Sequence, residues 1–139
     1  MPYLTPAEII SHLKTEIIDE VAGDNATALQ DAVSAAISEM RGYISFYDVA
    51  AILATTGNAR EPILLLYTKD IAVWHFIQLS NANIDIEFRE TRYKLAIAWL
   101  RDVQKGICVP NLPVITNADP LVQTGKVKYG SNLKRQTSY

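Results

Sequence analysis

Cysteine is nearly absent from this chain, which has one, Cys108, among 139 residues. A single thiol cannot form an internal disulfide, and without clustered histidines it cannot complete a structural zinc site. Long apolar runs are also missing, because no stretch approaches the roughly 18 residues of a membrane-spanning helix. The first ten residues lack the basic and continuous apolar regions of a signal peptide. The sequence therefore predicts a soluble chain, not exported by a signal peptide, that depends on packing for its stability.

Charge is scarce and unevenly placed. Charged residues make up 20% of the chain and hydrophobic residues 49%, a balance typical of one folded domain and not of a disordered chain. The formal net charge is -2, yet residues 121–139 contain four basic residues and no acidic one. We therefore expect an acidic body followed by a basic tail.

Helical periodicity is clear over the first 106 residues. Thr5, Pro6 and Glu8 form a capping box with proline at the first helical position. At the other end, Gly106 is placed to cap the last helix. The segment 60–80 is apolar on nearly every side, which is typical of a central helix. The predicted helices cover residues 6–21, 25–43, a short stretch beginning at 48, 60–80 and 85–105.

The remainder of the chain has no sustained period. Three prolines fall between residues 110 and 120, and proline interrupts both helices and central strands. Phosphate-loop, dinucleotide, zinc-protease and CxxC motifs do not occur. We therefore predict an all-α fold: a four-to-five-helix bundle over residues 1–106, followed by an extended, proline-containing and basic C-terminal arm over residues 107–139.

Glu8, His12 and Glu16 are spaced four residues apart on the first predicted helix. That spacing makes side chains neighbours, so the three could offer ligands to a metal. A catalytic zinc site needs a third converging ligand and an open position, and the only other histidine is His75. We favour a solvated helix face over a metal site, and we expect no cofactor.

Asp70 and His75 lie within the most apolar predicted helix, where neither is buried cheaply without a partner. A catalytic Asp/His pair with Ser80 or Cys108 as nucleophile is conceivable, but a five-residue spacing does not align two side chains on a helix. We favour a polar role in the core or at an interface, in which Asp70 pairs with Arg89 or Arg92. Cys108 lacks a local basic cluster that would activate its thiol, so we expect no enzyme.

The basic tail combines cations with residues that could anchor on a surface. Docking on an acidic protein surface is favoured over nucleic-acid recognition, because an acidic body would repel DNA elsewhere. A frayed terminus is the plainer alternative. The residues that we expect to bind a partner, whether a portal protein or a neighbouring subunit, are Lys126, Lys128, Tyr129, Leu133, Lys134 and Arg135.

The order of several short segments resembles a family of Mu-like tailed-phage and prophage proteins that contain a domain of unknown function and are associated with head-to-tail joining. The resemblance covers most of the chain, although no single segment is diagnostic. The matching segments are Arg41-Gly42-Tyr43-Ile44, Tyr47-Asp48, Asp70-Ile71-Ala72, Arg92-Tyr93, Ala96, Trp99-Leu100, Lys105-Gly106 and the closing 129–135 with its aromatic, Gly-Ser-Asn and basic pair.

This resemblance implies a non-catalytic virion protein of the head-tail connector, either an adaptor or a head-completion protein. It would form a homo-oligomeric ring, which could close only on assembly, with a portal protein above, a stopper or tail-terminator protein below and DNA passing through. It would reside in the host cytoplasm before assembly and in the virion afterwards. The alternative is a small helical DNA-binding or regulatory phage protein. Against that alternative, the predicted last helix opens with Asp85, Glu87 and Glu90, which would repel a DNA groove.

Overall fold

The computed structural model describes residues 2–23, 25, 27–78 and 86–115. Within these ranges the protein is all-α, as predicted, and the only β pairing is an isolated antiparallel bridge between Tyr47 and Val114. The five α-helices are α1 (Thr15–Ala22), α2 (Ala28–Tyr43), α3 (Val49–Ala54), α4 (Pro62–Ile77) and α5 (Ile86–Lys105), with short 3-10 helices at Pro6–Ser11 and Gly57–Ala59.

Helix α4 is the centre of the bundle and packs against both α2 and α5. Its sequence has few charged residues, and Leu64, Ile71 and Phe76 are completely buried. Burial of an apolar side chain of this size contributes about 2 kcal/mol. On α2 the buried residues include Ala32 and Ala36, whose small side chains allow a close approach of neighbouring helices. The prediction of a central apolar helix is confirmed.

The predicted helix over residues 6–21 is wrong, because the structure divides it in two. A 3-10 helix covers Pro6–Ser11, and α1 begins only at Thr15 after Lys14 adopts an extended conformation. The interruption follows from long-range contacts. The carbonyl of His12, which would continue the helix, accepts a hydrogen bond of 2.7 Å from Nη2 of Arg89 on α5. The break also lets Ile9 and Leu13 both enter the core.

Helix α3 begins where predicted, after Asp48. The Asp48 side chain accepts a hydrogen bond of 3.1 Å from the backbone N–H of Ala51, which is the contact expected of an N-cap. The backbone N–H of Asp48 donates to the carbonyl of Pro113 at 2.9 Å. Residues 107–115, called the strap below, are therefore attached to the start of α3, and Cys108 and Leu112 pack against the core.

Helix α5 ends where predicted, at Lys105. Gly106 follows this last residue with a φ of +77°, a left-handed conformation that glycine adopts without steric cost. The predicted polar connection 80–85 and the arm from residue 116 onward lie outside the described residues.

Candidate functional site

The most buried charged group of the described residues is Asp70, on the face of α4 that meets α5. Its side chain is 1% exposed. Nη2 of Arg92 donates to Oδ2 at 3.0 Å, and Nε of Arg92 lies 3.4 Å from Oδ1. Of the two arginines that the sequence offered as partners, Arg92 forms the ion pair. A two-pronged guanidinium contact of this kind fixes the relative register of the two helices.

His12 completes this cluster from the 3-10 side of the fold. Its Nε2 lies 3.5 Å from Oδ1 of Asp70, and its Nδ1 lies 3.0 Å from Oγ of Ser11. Burial lowers the pKa of His12, which outweighs the opposite effect of the nearby Asp70 carboxylate. The imidazole is therefore mostly neutral at pH 7.

An open groove of about 340 Å³ runs over this cluster, and we call it the polar groove. It is bordered by the Asp70 cluster, by Arg89, and by the apolar side chains Leu66 and Phe88. Phe88 is 52% exposed, although its ring lies 5.3 Å from the Arg89 guanidinium. The groove thus presents two arginines and an aromatic ring, which are side chains enriched in protein interfaces.

His75 belongs to a second cluster, which joins α2, α4 and α5. Its Nε2 lies 2.7 Å from Oε2 of Glu39, and the Tyr93 hydroxyl donates to Oε1 of the same carboxylate at 2.7 Å. Burial, together with the hydrogen bond to Glu39, raises the pKa of Tyr93 to about 12. Tyr93 also stacks on Trp74 with ring centroids 5.6 Å apart. Glu39 therefore links all three long helices.

The structure assigns Asp70 and His75 to separate clusters. Asp70 contacts His12 and Arg92, whereas His75 contacts Glu39. Cys108 is half-buried against the core, and Ser80 lies outside the described residues. The groups that the sequence offered for a catalytic Asp/His pair are therefore not brought together through these contacts.

Glu8, His12 and Glu16 do not share one helix face, because the chain is interrupted between Ser11 and Thr15. In the part of the chain that the structure describes, no three His, Cys, Asp or Glu side chains are grouped as metal ligands would be. The solvated face that we favoured is correct for Glu16, which is exposed. It is wrong for Glu8, which pairs with Arg60, and for His12, which contacts Asp70.

The Glu8–Arg60 pair is one of the contacts that the sequence did not reveal. Nη2 of Arg60 donates to Oε1 of Glu8 at 2.5 Å, while Nη1 donates to the carbonyl of Tyr3 at 2.7 Å. The Arg60 guanidinium lowers the pKa of Glu8 to about 2. Glu39 was missed in the same way. Its partner is 36 positions away, and sequence patterns carry signals only for neighbours three or four residues apart.

The six tail residues predicted to bind a partner, Lys126, Lys128, Tyr129, Leu133, Lys134 and Arg135, lie outside the described residues. On the body, the strongest acidic feature is α1, which has three acids and no base among its eight residues.

Comparison of the chain with models of protein families, with curated proteins and with solved structures finds no match in any of the three. Among the helices of the described ranges, none combines the length and the apolar character needed to cross a membrane.

Proposed function

We propose that this protein is a structural virion component of a tailed phage or prophage, and that it acts as a head-tail connector adaptor or head-completion protein. Copies of the chain form a ring at the portal vertex, between the portal and a stopper or tail-terminator protein, and DNA passes through that ring. The proposal involves no catalysis and no cofactor.

The observation that carries this proposal is the resemblance of the ordered segments to the Mu-like connector proteins. Several of those segments supply the contacts between long helices. Asp70 pairs with Arg92, Tyr93 stacks on Trp74, and Trp99 lies 5.3 Å from Tyr67 between ring centroids. The matching residues are thus concentrated at positions that define the bundle, and this supports a shared fold.

Apolar side chains at the surface are consistent with assembly. Ile86 and Phe88, at the start of α5, are 56% and 52% exposed, and Val109 in the strap is 77% exposed. Clustered exposed apolar residues are typical of surfaces that a partner covers. A ring needs two different patches on each subunit, and the start of α5 and the strap are candidates for them.

The alternative, a DNA-binding or regulatory protein, requires free cations at the start of a recognition helix. In α5 the first two arginines are already engaged. Arg89 donates to the His12 carbonyl and Arg92 pairs with Asp70, while Glu87 is exposed. These contacts favour the connector proposal over a recognition helix.

The proposal is tested by purifying particles from an induced or infected host culture and quantifying this protein by mass spectrometry against the portal subunit. A ratio close to one-to-one is expected for a ring that matches the portal. Absence from particles would contradict the connector role, and salt-sensitive retention on DNA would then support the alternative.

A second test removes residues 119–139 from the protein used for assembly. Because these residues carry the four basic side chains and the expected anchors Tyr129 and Leu133, the truncated protein should no longer join the connector. Particles that incorporate the truncated protein at the full-length level would show that the arm is not needed. The control is a full-length variant with Cys108→Ser, which leaves the arm intact.

A further inference from the structure

The widest groove described on this surface lies between α1 and the start of α2. It has a volume of about 470 Å³ and is open to solvent. Its apolar lining comes from Pro6, Ile18, Ala22 and Leu29. We call it the α1–α2 groove. A groove of this size accepts one or two side chains of an extended segment and not a folded domain.

The rim of this groove is acidic. Glu16, Asp19 and Glu20 are spaced three and four residues apart, so they share one side of α1, and Asp19 also lines the groove. Within the described ranges none of the three is in an ion pair, whereas Glu8, Glu39, Asp70 and Glu90 each have a partner. The groove therefore combines an apolar floor with unpaired negative charge.

The chain contains a segment with the complementary chemistry. Residues 126–135 carry Lys126, Lys128, Lys134 and Arg135 around the side chains Tyr129 and Leu133, with no acid. Cations would face the rim and the two larger side chains would fill the floor. Such complementarity fixes register and speeds association, while buried aromatic and apolar anchors supply most of the affinity.

The position at which the arm leaves the body favours docking on another subunit. The last described residues pair with Tyr47, just beyond the end of α2, whereas the groove lies beside Leu29 at its beginning. The 16 residues of α2 span about 24 Å. Donor and acceptor thus lie at opposite ends of one helix, which is the head-to-tail arrangement that a closed ring requires. The stretch from residue 116 to residue 126 reaches at most about 36 Å.

We propose that the α1–α2 groove of each subunit receives residues 126–135 of a neighbouring copy of this chain. This inference rests on the proposed function, because it names the subunit contact within the proposed ring.

The test uses an equal mixture of unlabelled and ¹⁵N-labelled full-length protein at high concentration and low salt, treated with a zero-length carbodiimide cross-linker. Mass spectrometry of the digest then identifies amide links between the tail lysines and Glu16, Asp19 or Glu20. Links that join labelled to unlabelled peptides are expected. Such links should fall at least about tenfold in ~0.5 M salt, because the charges are exposed and screened.

Two matched variants separate the groove from general charge. Asp19→Lys with Glu20→Lys should reduce the mixed-label links about tenfold. Glu61→Lys with Glu87→Lys makes the same change in net charge outside the groove and should leave them unchanged. Mixing the Asp19→Lys, Glu20→Lys variant with a tail variant, Lys126→Glu with Lys128→Glu, should restore the links with reversed polarity. Circular dichroism confirms that each variant is folded.

Links found only within one label would mean that the tail docks on its own subunit, and would overturn the inference. Mixed-label links to another surface, or no links at all, would overturn it equally. These results are distinct from the particle measurement. A protein present in particles at the portal ratio but lacking these links keeps the proposed function and loses this inference. A protein absent from particles that forms the links self-associates outside a connector.

Discussion

At the scale of single residues, two carboxylates join the elements of this fold. Asp70 accepts from Arg92 and lies beside His12, and Glu39 accepts from Tyr93 and lies beside His75. Each carboxylate connects elements that are distant in sequence. A buried charge is costly when it loses its partner, so these contacts select one packing arrangement more than they add to stability.

Replacing Asp70 tests this role. Asp70→Ala should lower the free energy of unfolding by about 2–3 kcal/mol, because the variant leaves Arg92 without its acceptor and opens a small cavity. This value is at the low end for buried pairs because the Arg92 side chain is 34% exposed. Urea unfolding measures the change.

The matched control is Glu90→Ala, which removes the exposed pair with Lys94 on the same helix. Its expected cost is at most about 0.5 kcal/mol. Equal stability of Asp70→Ala and the wild type would show that the ion pair does not hold α4 against α5.

Glu8 gives a prediction for pH. Its pKa is lowered to about 2 by the Arg60 guanidinium, so the folded state favours the ionised form. The stabilisation is complete above the ordinary pKa of 4.5 and disappears as the pH falls towards 2. The contribution above pH 4.5 is about 2 kcal/mol after allowance for the partly exposed site.

Unfolding measured in urea between pH 6 and pH 2 should therefore show a gap between wild type and Glu8→Gln that closes in acid. Glu16→Gln changes an exposed acid without an ion pair in the described structure, and its gap to wild type should stay near zero throughout. A Glu8→Gln gap that is the same at both ends of this range would show that the Arg60 contact does not depend on charge.

At the scale of elements, the boundaries that depend on local chemistry agree with the sequence. Asp48 caps α3, Gly106 ends α5, and Pro62 stands in the first turn of α4. The first predicted helix does not agree, because its interruption depends on Arg89 from α5. A capping residue acts on its own turn, whereas an arginine 77 positions away leaves no mark on the local pattern.

Two glycines test the element boundaries in opposite directions. Gly106→Ala should destabilise the protein by about 1 kcal/mol, because a φ of +77° is unfavourable for any residue with a Cβ. Gly42→Ala, in the last turn of α2, should stabilise it by about 0.5–1 kcal/mol, because no atom lies within 4 Å of the added Cβ.

Thermal or urea unfolding of both variants checks the pair. At Gly106 too, an added Cβ would have no atom within 4 Å, so steric crowding does not explain the expected loss. A neutral Gly106→Ala variant would indicate that the end of α5 tolerates another conformation.

At the scale of the whole molecule, the core is complete without the end of the chain. The buried apolar residues run from Tyr3 to Val103, with the strap packed beside them. Removal of residues 119–139 should therefore change the free energy of unfolding by at most about 0.5 kcal/mol. Circular dichroism and urea unfolding of the truncated monomer measure this.

A large loss of stability in the truncated protein would mean that the tail packs on its own subunit. That result would also contradict docking on a neighbour, since the loss would then occur in dilute monomers. The control is full-length protein at the same concentration, for which oligomeric state is measured by light scattering.

Much of the architecture could be predicted from sequence because it follows from apolar periodicity and capping. The stripe on α2, the apolar character of α4 and the caps of α3 and α5 are local properties of the chain. The pairing of Asp70 was narrowed to two arginines by the cost of burying a lone charge, and the packing of α4 on α5 selected Arg92.

The sequence by itself determined the helical fold class, most helix ends and the separation of an acidic body from a basic tail. Only the tertiary structure decided the break before α1, the partners Glu39 for His75 and Arg60 for Glu8, and the position of the α1–α2 groove. The physical reason is range. Helix propensity and capping act within one turn, whereas these contacts join residues 36 or more positions apart, and their geometry exists only once the helices have packed.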